Sequence, residues 1–281
     1  MSSAKEFLKW SLTLGREPQT FLGARWVRWA LDRAPAKKKR LWAFRLLSLS
    51  PHYFLDRNTP ENRSIPEAEY FERAAAGWVT SREQFFKVVL KDRLADSSTV
   101  LDYGCGPGFL AVTLAQSFER VYACDISSGA LDCARVLNPA DNLTYILADE
   151  KGLAEIPDGS IDAVVSLAVV QHLSLEAYEK LLAVCDQKLR AGGKIVLHVQ
   201  LDESGWKTED AWKEDQSMKG RLKYSYGLHN FGRPASEHID LATRAGFVNA
   251  TVEPLSSHFP DGFEDLGEQH LLTAIKPNLR P

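Results

Sequence analysis

The stretch Val100-Leu-Asp-Tyr-Gly-Cys-Gly-Pro-Gly-Phe109 decides the fold. Val100, Leu101 and Tyr103 read as the end of a buried strand, and Gly104 to Gly108 as a tight turn. Phe109 to Phe118 reads as a helix with apolar residues at helical spacing. Strand, glycine turn and helix in that order give a glycine motif its weight. Glycine is expected because the backbone must bend sharply and lie close to a ligand, where a Cβ would intrude. A dinucleotide site asks for Gly-x-Gly-x-x-Gly, and its last glycine would fall on Phe109. The pattern here is Asp-x-Gly-x-Gly-x-Gly, with Asp102 just ahead of the turn. A carboxylate at that place repels a pyrophosphate and accepts hydrogen bonds from a cationic amino group. The turn therefore favours a nucleoside that carries an amino acid. Val121 to Asp125 is a second short strand ending in an acid, 21 residues after Gly104, the spacing that holds a ribose diol.

Together with three later pieces, this region resembles the class I S-adenosylmethionine-dependent methyltransferases. The matching segments are the glycine turn, Ala123-Cys-Asp-Ile-Ser127, Leu147-Ala-Asp-Glu150, Pro157 to Ser166 and Leu189 to Leu197, over roughly residues 66 to 276. The resemblance implies a Rossmann-like α/β fold. Its sheet has seven mostly parallel strands with an antiparallel last strand, and helices on both faces. It also implies S-adenosyl-L-methionine as cofactor, held by Asp102, Gly104, Cys105, Gly106 and Gly108 in the turn, and by Asp125 and Ile126 after the second strand. Asp149 or Glu150, after the third strand, would take the adenine amine; Leu167 ends the fourth strand. Tyr70, on the helix before the turn, is a further contact, and with Arg73 and Arg82 a candidate for the methionine carboxylate. The resemblance says little about the acceptor.

The chain has 281 residues, 44% apolar and 25% charged, enough for one α/β core with an accessory segment. No apolar run is long enough to span a bilayer, and charges interrupt any secretory core near the start. Four cysteines without paired metal spacing read as reduced and structural, so a cytoplasmic protein is expected, with no metal site. The net charge of −3 is unevenly spread: residues 1–55 hold eleven Lys/Arg against three Asp/Glu. Such asymmetry can mark an anionic partner.

Residues 1–60 read as a basic, tryptophan-rich helical extension. Trp10, Trp26, Trp29 and Trp42 are interleaved with arginines and with Lys37-Lys38-Lys39-Arg40, and Pro35 separates two helices. One reading is a cap, tryptophans inward and bases in water. The other is an amphipathic surface that makes peripheral contact with an anionic membrane through residues 1–50. Residues 61–281 read as the cofactor-binding domain. Pro66 to Leu94 is expected as a helix broken near Gly77, and Ser127 or Ser128 as the N-cap of the next. Leu143 to Ala148, Ile161 to Leu167 and Lys194 to Val199 are the third to fifth strands, with Gly192-Gly193 turning the chain into the fifth. Asp162 reads as structural. From 200 to 233 the pattern breaks, with Trp206, Trp212, Tyr224, Tyr226, His229 and Phe231 among charged residues, as in an irregular lid or acceptor-binding insertion. Two strands, Phe247 to Val252 and His270 to Ile275, close the sheet.

Methyl transfer from a sulfonium is an in-line displacement in which the protein supplies alignment. A hydroxyl acceptor also needs its proton removed. His172, just beyond the fourth strand, and His229, in the aromatic insertion, are the candidate bases. His198, inside the fifth strand, reads as a satisfied core histidine, and Asp202 as a candidate partner for a histidine or a metal. The expected activity is O-methylation of a small-molecule or saccharide acceptor, phosphorylated or lipid-linked. The alternatives are a membrane-surface or partner-binding module that retains the cofactor site, and an RNA methyltransferase. Against the last, Ser166-Leu167-Ala168-Val169 stands where amino-group methylases of bases often carry Asn/Asp-Pro-Pro-Tyr/Phe.

Overall fold

The structure is a computed structural model that describes residues 25–50, 59–202, 207–225, 229–259 and 269–278. The glycine turn lies between β1 (Thr99–Tyr103) and α5 (Phe109–Ala115). Before it come α1 (Arg25–Arg33), α2 (Lys39–Leu47), α3 (Pro60–Ser64) and α4 (Glu67–Phe85). After it come β2 (Arg120–Asp125), α6 (Ser128–Leu137), β3 (Leu143–Leu147), α7 (Glu150–Leu153), β4 (Ile161–Ser166), α8 (Leu175–Lys188) and β5 (Leu189–Gln200). The chain ends with α9 (Glu209–Glu214), α10 (Met218–Ser225), α11 (Ala235–Arg244), β6 (Val248–Pro254) and β7 (Gln269–Ile275). No helix of the described residues is long and apolar enough to cross a membrane.

The seven strands form one sheet in the order β3-β2-β1-β4-β5-β7-β6. The first five are parallel, and β7 runs antiparallel between β5 and β6. The strand order reverses between β1 and β4, and open α/β sheets bind ligands in the crevice at the carboxyl ends of such strands. The central strands are buried on both faces, as β-branched runs under crossover helices must be. Leu101, Val164, Ile195 and Leu197 face Tyr178, Leu181 and Leu182 of α8 and Leu241 of α11. Val100, Val165 and Val196 face Phe85, Leu110 and Leu114 on the other side.

The fold departs from the sequence reading at four places. The helix is not broken at Gly77: α4 runs through it and ends in one wider turn, where Lys91 N–H bonds the Phe86 carbonyl at 2.8 Å. A lone glycine costs about 1 kcal/mol, and burial of Phe71, Ala75 and Phe85 outweighs that. Gly192-Gly193 is not a turn before β5 but lies inside it, at a register shift against β4. The 200–233 insertion is not irregular, since α9 and α10 lie within it; Trp206 and Tyr226 fall outside the described residues. The tryptophans do not all turn inward either: Trp42 packs but Trp29 is 57% exposed, with the Arg33 guanidinium 4.4 Å from its ring centre. Trp10 lies outside the described residues.

Helices α1 and α2 share a core with the sheet-bearing body. Val27, Leu31, Phe44 and Leu47 pack with Phe71 and Ala75 of α4, Phe109 of α5, and Cys133 and Leu137 of α6. Phe44 stacks on Phe71 with ring centres 5.4 Å apart. Three arginines pin the helices down: Arg28 pairs with Asp132 at 2.9 Å, Arg40 with Glu72 at 2.7 Å and Arg45 with Glu67. All four cysteines are buried and unbridged.

Candidate active site

Three glycines in left-handed conformation make the turn after β1: Gly104 (φ 78°), Gly106 (φ 50°) and Gly108 (φ 81°). The two outer ones are also required by packing. A Cβ on Gly104 would lie 2.4 Å from a Val169 methyl, and one on Gly108 2.2 Å from the Tyr145 hydroxyl. The turn is anchored from β2: Gly104 N–H and Cys105 N–H donate to the Cys124 carbonyl at 2.7 and 3.0 Å. Gly106 N–H donates to Asp125 Oδ2 at 2.8 Å, and Ser127 N–H to Asp125 Oδ1 at 2.8 Å. The acid after β2 thus holds turn and following helix together. Ser127, the N-cap of α6, accepts from Ala130 N–H at 3.2 Å. Burial raises the Asp125 pKa, and the bonds from Ser127 and Gly106 oppose that. Ile126, beside it, is 53% exposed, an apolar surface next to a polar one.

Asp102 is 1% exposed, and its Oδ2 has no hydrogen-bond partner among the described residues. Burial pushes its pKa up to about 7, against the pull of Arg82, while Asp125 adds to the rise. Arg82, on the last turn of α4, is half-buried, and its one side-chain bond among the described residues is a 3.4 Å contact to Ser81 Oγ. Burial lowers its pKa, with Asp102 opposing. An orphaned carboxylate oxygen beside an undersatisfied guanidinium fits the ammonium and carboxylate of an amino acid. Arg73, the other arginine singled out, is exposed and paired with Glu69. Tyr70 is half-buried, its ring 5.7 Å from that of Phe71.

Asp149 is exposed and caps α7, accepting from Gly152 N–H at 2.7 Å; Glu150 is exposed in the first turn. At the end of β4, Ser166 Oγ donates to the Tyr103 carbonyl at 2.8 Å, tying the two strands at the crevice. Leu167 is half-buried, and Ala168 follows with φ 60°. A non-glycine residue held there is strained, and strain of this kind clusters at functional sites. Nothing in the sequence marked Ala168.

The two histidines are brought together as a reciprocal clasp. His172 Nδ1 lies 2.7 Å from the His229 carbonyl, and His229 Nε2 lies 3.1 Å from the His172 carbonyl. Each of those ring nitrogens must carry the proton, because a carbonyl can only accept. His172 is left with Nε2 as its proton-accepting atom. His229 is left with a buried Nδ1 that has no geometric hydrogen-bond partner among the described residues, and its ring is packed by Trp212, Tyr224 and Phe231 at 6.2, 4.9 and 4.5 Å. Burial lowers the pKa of both. The clasp is held from behind by Arg233, fully buried, which donates to the Leu173 carbonyl at 2.7 Å and pairs with Glu237 at 3.2 Å. Of the remaining singled-out acids, Asp202 is exposed at the end of β5, while Asp162 accepts from Ser98 and Thr99 N–H, both at 2.8 Å, as a structural residue should.

Residues 101–197 match the family model of the methyltransferase domain. Among known proteins, the chain is 29% identical over 204 residues to an uncharacterized transposon protein of Streptomyces fradiae, covering 69% of this chain and 56% of that one. It is 25% identical over 177 residues to the phosphoethanolamine N-methyltransferase of Plasmodium falciparum, covering 62% of each. The match thus spans less than two thirds of the length of these relatives. A solved S-adenosylmethionine-dependent methyltransferase of Mesorhizobium loti is 22% identical, with TM-score 0.47 over 63% of this chain and 90% of that one.

Proposed function

We propose that the chain is a class I S-adenosylmethionine-dependent methyltransferase, the reading its methyltransferase-domain match supports, and that it methylates a hydroxyl of a small or saccharide-like acceptor, with His172 as general base. The cofactor supplies a methyl group already activated on a positively charged sulfur. Asp102 and Arg82 would hold its amino-acid end, and the glycine turn with Asp125 and Ile126 its ribose and base. Tyr70, Asp149, Glu150 and Leu167 remain the proposed flanking contacts. The protein's own work is to exclude water, align the acceptor and take up its proton.

The observation that carries the base assignment is the clasp. His229 holds the Nδ1–H tautomer of His172 and leaves the Nε2 lone pair beyond the carboxyl end of β4. Burial keeps that imidazole neutral. His229, also named from the sequence, is better read as the residue that orients His172, since aromatic rings pack its own imidazole. The test is S-adenosylhomocysteine release across a panel of alcohols and sugars, with phosphoethanolamine as the amine comparator. His172→Gln should lower kcat by roughly 10²–10⁴-fold on a hydroxyl acceptor. A Gly106→Arg protein should lose cofactor binding. Undiminished turnover by His172→Gln would remove the base assignment.

The finer reading of partners is contact with an anionic membrane surface. Arg33, Lys37, Lys38 and Lys39 make no ion pair among the described residues, and exposed Trp29 lies beside Arg33.

A further inference from the structure

His198, in β5, is 3% exposed, and only one of its ring nitrogens is satisfied. Its Nε2 lies 3.1 Å from Gln269 Oε1 on the neighbouring strand β7, and its Nδ1 is buried with no partner among the described residues. Since Gln269 Oε1 can only accept, the proton sits on Nε2 and Nδ1 presents a bare lone pair. A core histidine with no task would be costly here, because an unpaired buried polar atom forfeits its solvation.

The sheet register shows where that lone pair stands. Asp102 of β1 pairs with Val165 of β4, and Val165 pairs with Val196 of β5. His198 is two residues further along β5, on the same face as Val196 because side chains alternate. That face is the one over which Arg82, three residues before the buried Phe85, projects from α4. Asp102 and His198 are therefore two strand spacings and two residues of rise apart, about 12 Å, on one face at the carboxyl edge of the sheet. Arg82 is the electrostatic neighbour of both. The amino nitrogen and sulfur of a methionine chain are separated by four bonds, roughly 5 Å. A cofactor held at Asp102 brings its sulfur partway along this face, and His198 stands beyond it, where an acceptor must lie. His172 is close enough to His198 to oppose its protonation.

We infer that His198 is the acceptor-recognition residue: its unpaired Nδ1, fixed by Gln269, receives a hydrogen bond from an O–H or N–H of the acceptor. The inference rests on the methyltransferase reading and deepens it, since it restricts acceptors to those that present a donor toward β5. An ether, a thioether or a bare carboxylate leaves Nδ1 unpaired. Burial pushes the His198 pKa down to about 4, so the ring is neutral at physiological pH. The two histidines divide the work, one recognising and one deprotonating.

The test uses the full chain and His198→Phe, which keeps the shape and removes the orphaned nitrogen. S-adenosylhomocysteine binding by calorimetry should stay within about twofold of the parent, and the melting temperature should be equal or higher. Turnover of phosphoethanolamine or of simple glycosides, whichever the parent methylates, should fall about 100-fold with a raised KM. A melting temperature well below that of the parent, with turnover per folded molecule unchanged, would overturn the inference. Independently of turnover and of folding of the variant, ring-¹⁵N-histidine NMR of the wild-type chain should show an unprotonated His198 Nδ1; a protonated Nδ1 overturns it. Failure of the wild-type chain to bind S-adenosylhomocysteine would instead bring down the methyltransferase reading on which this one stands.

Discussion

Asp102 combines two requirements that oppose each other. In the proposed role it must be ionised to hold a cationic amino group, yet its surroundings favour the proton, with burial raising its pKa to about 7. In the ligand-free protein the carboxyl is largely protonated below that value, so cofactor affinity should fall as pH drops through about 7, approaching tenfold per unit below it. Stability moves the other way. A folded-state pKa above the unfolded 3.8 means that the native state holds the extra proton, so this group's contribution to stability is greatest below about pH 4 and declines as pH rises toward 7. Asp102→Asn should therefore weaken cofactor binding by roughly 10–100-fold while leaving the melting temperature at pH 8 equal or higher. Calorimetry across pH and thermal melts check the two halves; a variant both less stable at pH 8 and unchanged in affinity would reverse the assignment. The acid itself was legible in the Asp-x-Gly-x-Gly-x-Gly run. Its lack of a partner was not, because that depends on what α4 places above it. Nor was the half-satisfied state of His198 legible, because it depends on Gln269, 71 residues away.

Helices are held by the face they bury more than by the charges they show, and α1 and α2 illustrate the difference. Arg28–Asp132 is the pair a charge reading would prize, but Arg28 is largely exposed, and exposed pairs contribute less than about 1 kcal/mol. Phe44, fully buried and stacked on Phe71, should cost about 3–5 kcal/mol on Phe44→Ala. Urea unfolding of Phe44→Ala and Arg28→Ala should show this order, and equal losses would refute it. The same balance explains what could and could not be read ahead of the structure. The strands were visible as apolar runs between turn residues, and Pro35 marked a real break. The continuity of α4 through Gly77 was hidden, because the penalty is local and the compensation, Phe71 and Ala75 against α2 and α5, is tertiary. The His172–His229 clasp was hidden for a similar reason. Each ring bonds the other's backbone carbonyl, and no spacing in the sequence encodes that.

On the scale of the whole molecule the sheet order places the crevice, and the charge distribution decides what else the protein can touch. The crevice followed from the sequence, since the glycine turn and the two later strand ends fix β1 as the central strand. The meaning of the basic segment did not, because it depended on which bases are already paired. Arg28, Arg40 and Arg45 are tied to the body, so among the described side chains of this segment the charge available to a partner is that of Arg33, Lys37, Lys38 and Lys39 beside Trp29, with Asp32 the one acid in residues 25–50. Each basic residue close to an anionic bilayer contributes about 1 kcal/mol, and four together suffice for a reversible, salt-sensitive association. Deleting residues 1–50 would be a poor test, because it strips Phe71 and Phe109 of their cover. Reversing Lys37, Lys38 and Lys39 to Glu leaves that core intact. The parent should co-sediment with phosphatidylglycerol vesicles at low salt, release as salt rises, and ignore neutral phosphatidylcholine vesicles. The triple variant should lose the association while binding cofactor normally, and Trp29→Ala should weaken it. Equal sedimentation of parent and triple variant, or preferential retention of the parent on RNA over vesicles, would assign these charges to ordinary solvation or to a nucleic acid.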